Sequence, residues 1–465
     1  MTETAAVAGR WRDLLRGRYL GTSVVLAGGV ALYATNEFLT SSLLPNTVAE
    51  IGGARLYAWV TTLYLVGSVV AATVVNPILL RVGPRSSYLS GLGVFAVASL
   101  VCAAAPDMAV LIAGRALQGV AGGLLAGLGY AVINAALPRA LWSRGSALVS
   151  AMWGVATVVG PATGGLFAQF GLWRWAFVAM AVLSALMAAL VPAALAAARA
   201  ERAAATQVLK VPVWSLLILG AAALAVSVAQ IPRDVGATAA LLVAGAGLAV
   251  CFVVVDRRAR AAVLPPSVFG RGPLKWVYLA MAGLMAAAMV NTYVPLFGQQ
   301  LAHLRPVVAG FLGAALAFGW TVSEIVSASL NDPRAVGRVI VAAPVVVAAG
   351  LALGALTQRA DASAGIAAWW AVGLLVAGIG IGMAWPHLSV RAMESVDDPA
   401  EGGAAAAAIN TVQLVAAAFG AGLAGVVVNT AHGGGVVAAR WLFTVFTVLS
   451  AAGVISGYRA SRRAA

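Results

Sequence analysis

The stretch that decides the fold is WAFVAMAVLSALMAALVPAALAAA, residues 175–198, which runs for 24 residues without a charged side chain. An apolar run of 18 or more residues predicts a membrane-spanning helix, because a helix satisfies its own backbone hydrogen bonds in lipid. Comparable blocks, separated by short arginine-bearing gaps, recur along the 465-residue chain, and 62% of its residues are apolar. The sequence therefore predicts an all-α polytopic membrane protein with almost no soluble domain.

The apolar blocks predict about 14 transmembrane helices. The predicted spans are residues 20–45, 55–80, 86–105, 108–134, 145–169, 174–198, 212–229, 236–255, 274–298, 306–330, 338–357, 364–390, 403–430 and 438–458. They divide the chain into an N-terminal six-helix bundle (1–198), an extra transmembrane hairpin with its linkers (199–265) and a C-terminal six-helix bundle (266–465).

The lysine and arginine residues predict the orientation of these spans. If the helices alternate from a cytoplasmic N terminus, 22 of the 29 Lys and Arg residues lie inside, six lie outside and Arg115 lies within a span. Because loops rich in Lys and Arg stay on the cytoplasmic side, both termini are expected there, in the cytoplasmic (inner or plasma) membrane of a bacterium. The formal net charge of +14 is thus assigned to topology and to contact with membrane lipids, and no nucleic-acid partner is expected.

The sequence contains no complete motif for enzyme chemistry. The sequence contains no Walker A loop, and the glycine-rich stretch at 378–382 lies inside an apolar span rather than after a strand. The HGGG stretch at 432–435 has no Gly-x-Ser-x-Gly partner that would supply a nucleophile. The three histidines are scattered and both cysteines lie in apolar blocks. We expect no enzyme activity, no cofactor and no metal site.

Three ionisable residues lie inside predicted spans, namely Glu37, Arg115 and Glu324. Each requires an explanation, because a charge near the membrane centre costs about 3 kcal/mol on insertion scales. At 1.5 Å per residue, Glu37 and Arg115 lie roughly 12 and 10 Å from the outer ends of their helices, which is close enough in depth to pair. Such a glutamate can load and release protons as a cavity opens to each side. The alternative is a static pair between two helices.

Several motifs resemble the major facilitator superfamily, in its fourteen-helix branch of drug:proton antiporters. Residues 115–119 (RALQG) are similar to the fourth-helix motif, whose arginine is linked to proton coupling, and residues 173–177 (WRWAF) to the start of the sixth helix. Residues 160–165 (GPATGG), with Gly154, resemble the fifth-helix antiporter motif. The residues to which the resemblance assigns a conformational role are Arg81, Gly83, Arg85, Gln118, Gly119, Gly160, Pro161, Gly164 and Gly165.

Two motifs depart from the family pattern. The loop after the second helix usually reads Gly-x-x-x-Asp-Arg-x-Gly-Arg-Arg, but here Asn76 replaces the first glycine and Leu80 replaces the aspartate. In the first helix, alignment on Pro45 places Asn36 where the family has an aspartate. The acid stands one residue later, at Glu37, which is about 100° further around the helix.

The resemblance implies the major facilitator fold, in which two pseudo-symmetric six-helix bundles rock about a central cavity, with the extra two-helix hairpin bridging them. It implies a proton-coupled secondary active exporter of amphiphilic small molecules, of the multidrug antiport type, that works by alternating access. The proton-coupling residues would be Glu37, Arg115 and Glu324. The residues expected to contact the substrate are Asn36, Tyr64, Trp153, Asn291, Tyr293, Trp320, Asn410 and Gln413.

Two other functions stay open at this point. A lipid or glycolipid flippase of the same fold would have an apolar lateral cleft, and a transporter-like receptor or scaffold would show no flux. A monomer and a complex with a periplasmic or lipoprotein partner are both compatible with the sequence. Asp107, at a predicted outer helix start, is interpreted as an N-terminal cap.

Overall fold

The computed structural model describes residues 11–15, 17–138, 141–195, 212–232, 234–259, 262–330, 332–396 and 401–461. These ranges contain helices and connecting turns and no β-strand. The α-helices are α1 (Trp11–Leu15), α2 (Leu20–Ile51), α3 (Tyr57–Ala103), α4 (Met108–Ala131), α5 (Ile133–Ala136), α6 (Trp142–Gln169), α7 (Trp173–Ala194), α8 (Val213–Val228), α9 (Val235–Arg258), α10 (Leu274–Ala288), α11 (Val294–Ala302), α12 (Pro306–Ser327), α13 (Pro333–Thr357), α14 (Ala364–Glu394), α15 (Gly402–Thr430) and α16 (Gly435–Ser461).

The prediction of an all-helical membrane fold is confirmed. Twelve helical segments of the described chain are long and apolar enough to cross a membrane. The other two predicted spans correspond to α2 and α8, which fall outside that set. α2 is 32 residues long, but polar residues such as Asn36 and Glu37 lower its hydropathy. α8 has only 16 residues, so it is shorter than a typical span.

The predicted loop between the second and third spans is a kink inside α3. Gly83 has φ 81° and ψ 169° there, a left-handed conformation that glycine adopts without the steric cost of a side chain. The Ser87 hydroxyl donates a hydrogen bond to the Gly83 carbonyl at 2.7 Å, across the first turn beyond the kink. Arg81 and Arg85 flank the kink and are exposed.

The predicted span at 274–298 is interrupted. α10 ends at Ala288, a 3₁₀ turn covers Met289–Tyr293, and α11 begins at Val294. Pro295 lies in the first turn of α11, where a missing N–H group removes no intrahelical hydrogen bond. The segment therefore restarts as a second helix instead of continuing as one.

The helices pack into two groups that meet along two seams. α2, α3, α4, α6 and α7 contact one another, and α10 and α12–α16 form the second group. α3 packs on α15 and α6 packs on α12, which joins the groups. α8 lies against both α3 and α15, and α9 packs mainly on α8. The predicted boundary at residue 198 lies outside the described residues.

Asp107 begins α4 as its N-cap, because its carboxylate accepts a hydrogen bond from the Val110 amide at 2.9 Å. The prediction of a cap at this position is confirmed. Capping carboxylates satisfy amides that have no intrahelical partner.

A second acid, Glu50, joins α2 to α7 beyond the predicted end of the first span. Its carboxylate accepts hydrogen bonds from Arg174 and, at 2.7 Å, from the Trp173 indole nitrogen. These two hydrogen bonds, that from Arg174 first, hold the pKa of Glu50 below its usual value. The pair is half exposed, so solvent screens it and its contribution to stability is modest.

Glu50→Gln is expected to lower the thermal stability of the purified protein at neutral pH by at most about 1 kcal/mol. Since the folded-state pKa is depressed, this contribution is present above the unfolded-state pKa of about 4.3 and is lost as the pH falls through the folded-state value. The melting temperatures of wild type and variant should therefore converge once the pH falls below the folded-state pKa of Glu50. Glu394→Gln, at an exposed acid, should show no difference at either pH; a Glu50→Gln difference that persisted in acid would contradict the assignment.

Candidate functional site

Arg115 lies at the centre of the N-terminal group and is 1% exposed. Its NH1 group donates to Asn36 Oδ1 and, at 2.8 Å, to Gln118 Oε1, and its Nε donates to the Val60 carbonyl at 3.4 Å. The guanidinium carbon also lies 4.0 Å from the centroid of the Tyr64 ring. The buried cation is thus solvated by neutral oxygen atoms and by the face of an aromatic ring. We call Arg115 and these four residues the arginine cage.

The local sequence explains how α4 presents this arginine. Gly119 lies where α4 meets α3, and a Cβ atom there would come within 2.8 Å of Tyr64 Cα. Gln118 donates from Nε2 to the Ser99 hydroxyl at 2.8 Å, which ties the cage to the second half of α3. Within residues 115–119, the arginine and glutamine supply the polar groups and the glycine allows close helix packing.

Glu37 is half-buried and next to the cage, but it forms no direct ion pair with Arg115. No ion pair within 4 Å joins Glu37 to another described residue, whereas Arg174–Glu50 and His303–Asp361 do form such pairs. The NH1 group of Arg115 binds Asn36 and Gln118 instead, and Glu37 stands about 100° further around α2 than Asn36. Glu37 interacts with Arg115 only through space, and no hydrogen bond to it occurs within the described part of the chain.

Aromatic rings form a wall beside these charges. Tyr33 stacks on Tyr64 with ring centroids 5.4 Å apart, and it makes a T-shaped contact with Trp153 with ring centroids 5.7 Å apart. The Tyr64 hydroxyl donates to the Tyr33 carbonyl at 2.9 Å, which fixes the pair. Tyr33 was missing from the sequence-based set. It stands four residues before Glu37, so helical spacing from that acid was the signal that could have found it.

Glu324 belongs to a separate cluster in the C-terminal group. Its carboxylate accepts a hydrogen bond from the Trp320 indole nitrogen at 2.9 Å, and Trp320 lies 5.3 Å from the ring of Trp385 on α14. Gly382 allows this approach, because a Cβ atom there would lie 2.8 Å from the Trp320 carbonyl carbon. No hydrogen bond, ion pair or ring contact between described residues joins this cluster to the arginine cage.

The remaining residues predicted to contact substrate lie apart from both clusters. Tyr293 stacks on Tyr57 of α3 at 4.8 Å, and Asn291 faces α12 near Gly313. On α15, Asn410 is exposed and Gln413 is half-buried. Their joint role in one cavity stays a prediction.

The fifth-helix motif lies in α6 and packs this helix onto two neighbours. A Cβ atom at Gly160 would lie 3.1 Å from the Leu39 amide nitrogen, and one at Gly164 would lie 2.9 Å from Leu39 Cα. Pro161 is buried between these positions. Gly165 faces the backbone of α12 in the other helix group. The motif therefore positions α2, and with it the segment that carries Glu37, against the seam between the groups.

The long apolar helices of the described chain, with a caged arginine and acids inside them, define a polytopic membrane protein. The family model of the Major Facilitator Superfamily matches residues 26–421, and the chain belongs to this superfamily.

The relatives of the chain include a named efflux transporter and a named resistance protein. Over 466 residues it is 71% identical to a probable multidrug-efflux transporter of Mycobacterium tuberculosis (strain H37Rv), covering 100% of this chain and 99% of that protein. It is 30% identical to the puromycin resistance protein pur8 of Streptomyces alboniger, with 87% and 81% covered. The fold is similar to that of a POT family transporter solved with 5-aminolevulinic acid, with TM-score 0.68, 11% identity, and 95% and 97% covered.

Proposed function

We propose that the protein is a proton-coupled exporter of amphiphilic small molecules, of the fourteen-helix antiporter branch, that works in the cytoplasmic membrane of a bacterium. The observation that carries the proposal is Glu37, a half-buried carboxylate that has neither a direct ion pair nor a hydrogen bond within the described chain. A carboxylate in such a place gains or loses a proton without first breaking a contact. The name of the Mycobacterium tuberculosis relative, a probable multidrug-efflux transporter, supports export as the direction of transport.

The arginine cage explains why Glu37 would respond to its surroundings. Arg115 keeps its charge but is held by Asn36 and Gln118, which are neutral. Its positive charge is therefore not cancelled locally and acts on Glu37 through space. Protonation of Glu37 changes the net charge of the site from zero to plus one.

This change in charge supplies the coupling. A cationic substrate is favoured when Glu37 is ionised and is repelled by Arg115 when Glu37 is protonated, so proton and substrate compete for one site. The rings of Tyr33 and Trp153 offer apolar and cation–π surface for the substrate. Competition of this kind is the requirement for antiport by alternating access.

The packing of the hairpin argues against the alternative function, a lipid flippase. A flippase needs an apolar lateral opening, and α8 covers the seam between α3 and α15. That packing favours a closed flank on this side and supports a small-molecule substrate over a lipid.

Glu37→Gln is expected to reduce proton-gradient-driven flux in proteoliposomes to the level of protein-free vesicles, because glutamine cannot carry the proton. The assay would use cationic dyes, neutral antibiotics and labelled lipids as cargo. Asp107→Asn is the matched control, since asparagine also caps a helix, and it should transport like the wild type. Glu324→Gln tests the C-terminal acid in the same assay.

Three results would contradict the proposal. Full gradient-dependent flux in Glu37→Gln, with loss in Glu324→Gln, would move the proton site to the C-terminal group. Movement of labelled lipids alone would favour a flippase. An absence of flux of every cargo in a well-folded sample would favour a receptor or scaffold.

A further inference from the structure

The start of α3 is the place where the two helix groups and the α8–α9 hairpin meet. The Arg55 carbonyl accepts a hydrogen bond from Asn429 Nδ2 of α15 at 2.8 Å, and the Arg55 side chain donates to the Ile231 carbonyl at 3.3 Å. Trp59 donates from its indole nitrogen to the Ser227 carbonyl at 2.9 Å. Residues 55–59 therefore contact the C-terminal group and the hairpin at the same time.

Asn429 links all three parts of the molecule. Besides the Arg55 carbonyl, its Nδ2 group also lies within hydrogen-bonding distance of the Gln230 carbonyl, at 3.4 Å. Gln230 ends the α8 side of the hairpin and is 1% exposed. A Cβ atom at Gly425 would approach both the Gln230 side chain and Ala58, so the backbone of α15 lies directly against them. The end of α8 is thus buried in the seam between the groups.

Tyr57, in the same segment, packs against Tyr293, but this packing buries its hydroxyl. Its ring stacks on Tyr293 with centroids 4.8 Å apart, and the residue is 1% exposed. The Tyr57 hydroxyl is buried and has no hydrogen-bond partner in the described chain. A buried hydroxyl without a partner is unfavourable, since it gives up its bonds to water and receives none in return.

We propose that residues 55–59, Tyr293 and the end of α8 form a gate at the predicted outer end of the bundle. In this gate the end of α8 with Gln230 and Ile231 is a working part, and the Tyr57 hydroxyl biases the gate towards opening. Opening breaks the Asn429 hydrogen bonds, which favour closure, and hydrates the Tyr57 hydroxyl, which favours opening. The proposal rests on the proposed function in one respect, namely that an exporter must open to the outside.

Because these contributions oppose each other, two variants should change the population of the open state in opposite directions. Tyr57→Phe keeps the aromatic stack and removes the hydroxyl, so the open state loses its gain from hydration and becomes rarer. Asn429→Ala removes the hydrogen bonds that hold α15 to α3 and to the hairpin, so the open state becomes commoner. Tyr88→Phe is the matched control, because the Tyr88 hydroxyl is also buried without a partner in the described chain but lies within the N-terminal group, beside Gly29.

The open state can be read by chemical labelling rather than by transport. Ser42 is 1% exposed and lies where α2 meets Gly310 of α12, across the seam between the groups. Ser42→Cys, in a Cys251→Ser background, places a nearly isosteric thiol there, and Cys102 is buried. A membrane-impermeant maleimide added from outside would react with the introduced thiol only while the gate is open.

Tyr57→Phe is expected to slow labelling about five- to tenfold and Asn429→Ala to accelerate it by a similar factor. Tyr88→Phe should leave the labelling rate unchanged. Equal rates in Tyr57→Phe and Tyr88→Phe would overturn the role of the Tyr57 hydroxyl, and an unchanged rate in Asn429→Ala would overturn the role of the Asn429 hydrogen bonds. No labelling of the parent protein would overturn the gate itself. If the variants change the labelling rate but the protein shows no flux, the gate is supported and the proposed function fails. If the protein shows flux but the variants leave the labelling rate unchanged, the proposed function is supported and the gate fails.

Discussion

Gly164→Ala is expected to be strongly destabilising, because this glycine allows α6 to touch the backbone of α2. An added Cβ atom would lie 2.9 Å from Leu39 Cα and 3.0 Å from the Leu39 carbonyl carbon, distances that side chains do not reach without movement. The obstacle is backbone rather than a flexible side chain, so one helix must shift. Overpacking of a well-packed interior costs about 1–3 kcal/mol, and a backbone obstacle places this site at the upper end.

Thermal unfolding of the purified protein, read by tryptophan fluorescence, would measure the change. Gly154→Ala is the matched control, since it lies in the same helix and no atom lies within 4 Å of the added methyl group. The control should unfold at or slightly above the wild-type temperature, because alanine has the higher helix propensity. Equal unfolding temperatures for Gly164→Ala and the wild type would show that α2 and α6 are not packed as closely as described.

Arg115→Lys is expected to abolish most transport although it keeps the positive charge. The guanidinium donates in several directions, to Asn36, to Gln118 and to the Val60 carbonyl, and a lysine ammonium cannot match this planar geometry. Each lost hydrogen bond to a charged group costs about 1.5–3 kcal/mol when its partner stays buried. One such loss in the transport cycle corresponds to a fall of about tenfold or more in gradient-driven flux.

The measurement is initial flux in proteoliposomes that contain equal amounts of folded protein. Arg257→Lys is the control, because Arg257 is exposed at the end of α9, and its flux should equal that of the wild type. Wild-type flux in Arg115→Lys would show that charge alone is required at this position and that the cage geometry is not.

Much of the fold can be predicted from composition and from the spacing of the apolar runs. The apolar runs place the helices, and thirteen of the fourteen predicted spans lie along continuous helices. The exception is the span at 274–298, where the helix breaks before Pro295. The second and third spans share α3, and α2 continues six residues beyond the predicted end of the first span. The spans can be predicted from the sequence because a helix in lipid forms its backbone hydrogen bonds within one continuous segment. The positions of Glu37, Arg115 and Glu324 within spans follow from the same reading.

The partners of these residues were decided by tertiary structure. Arg115 and Asn36 are 79 residues apart in the chain, and they meet in place of the direct Glu37–Arg115 pair that similar depth had suggested. The packing of helices also places Tyr33 in the site and Glu324 in a separate cluster. The sequence by itself determined where most of the long apolar helices lie, because that depends on local hydropathy. Only the packing of helices distant in the chain decided which polar groups meet, since a rotation of one residue, about 100°, changes the neighbour of a side chain.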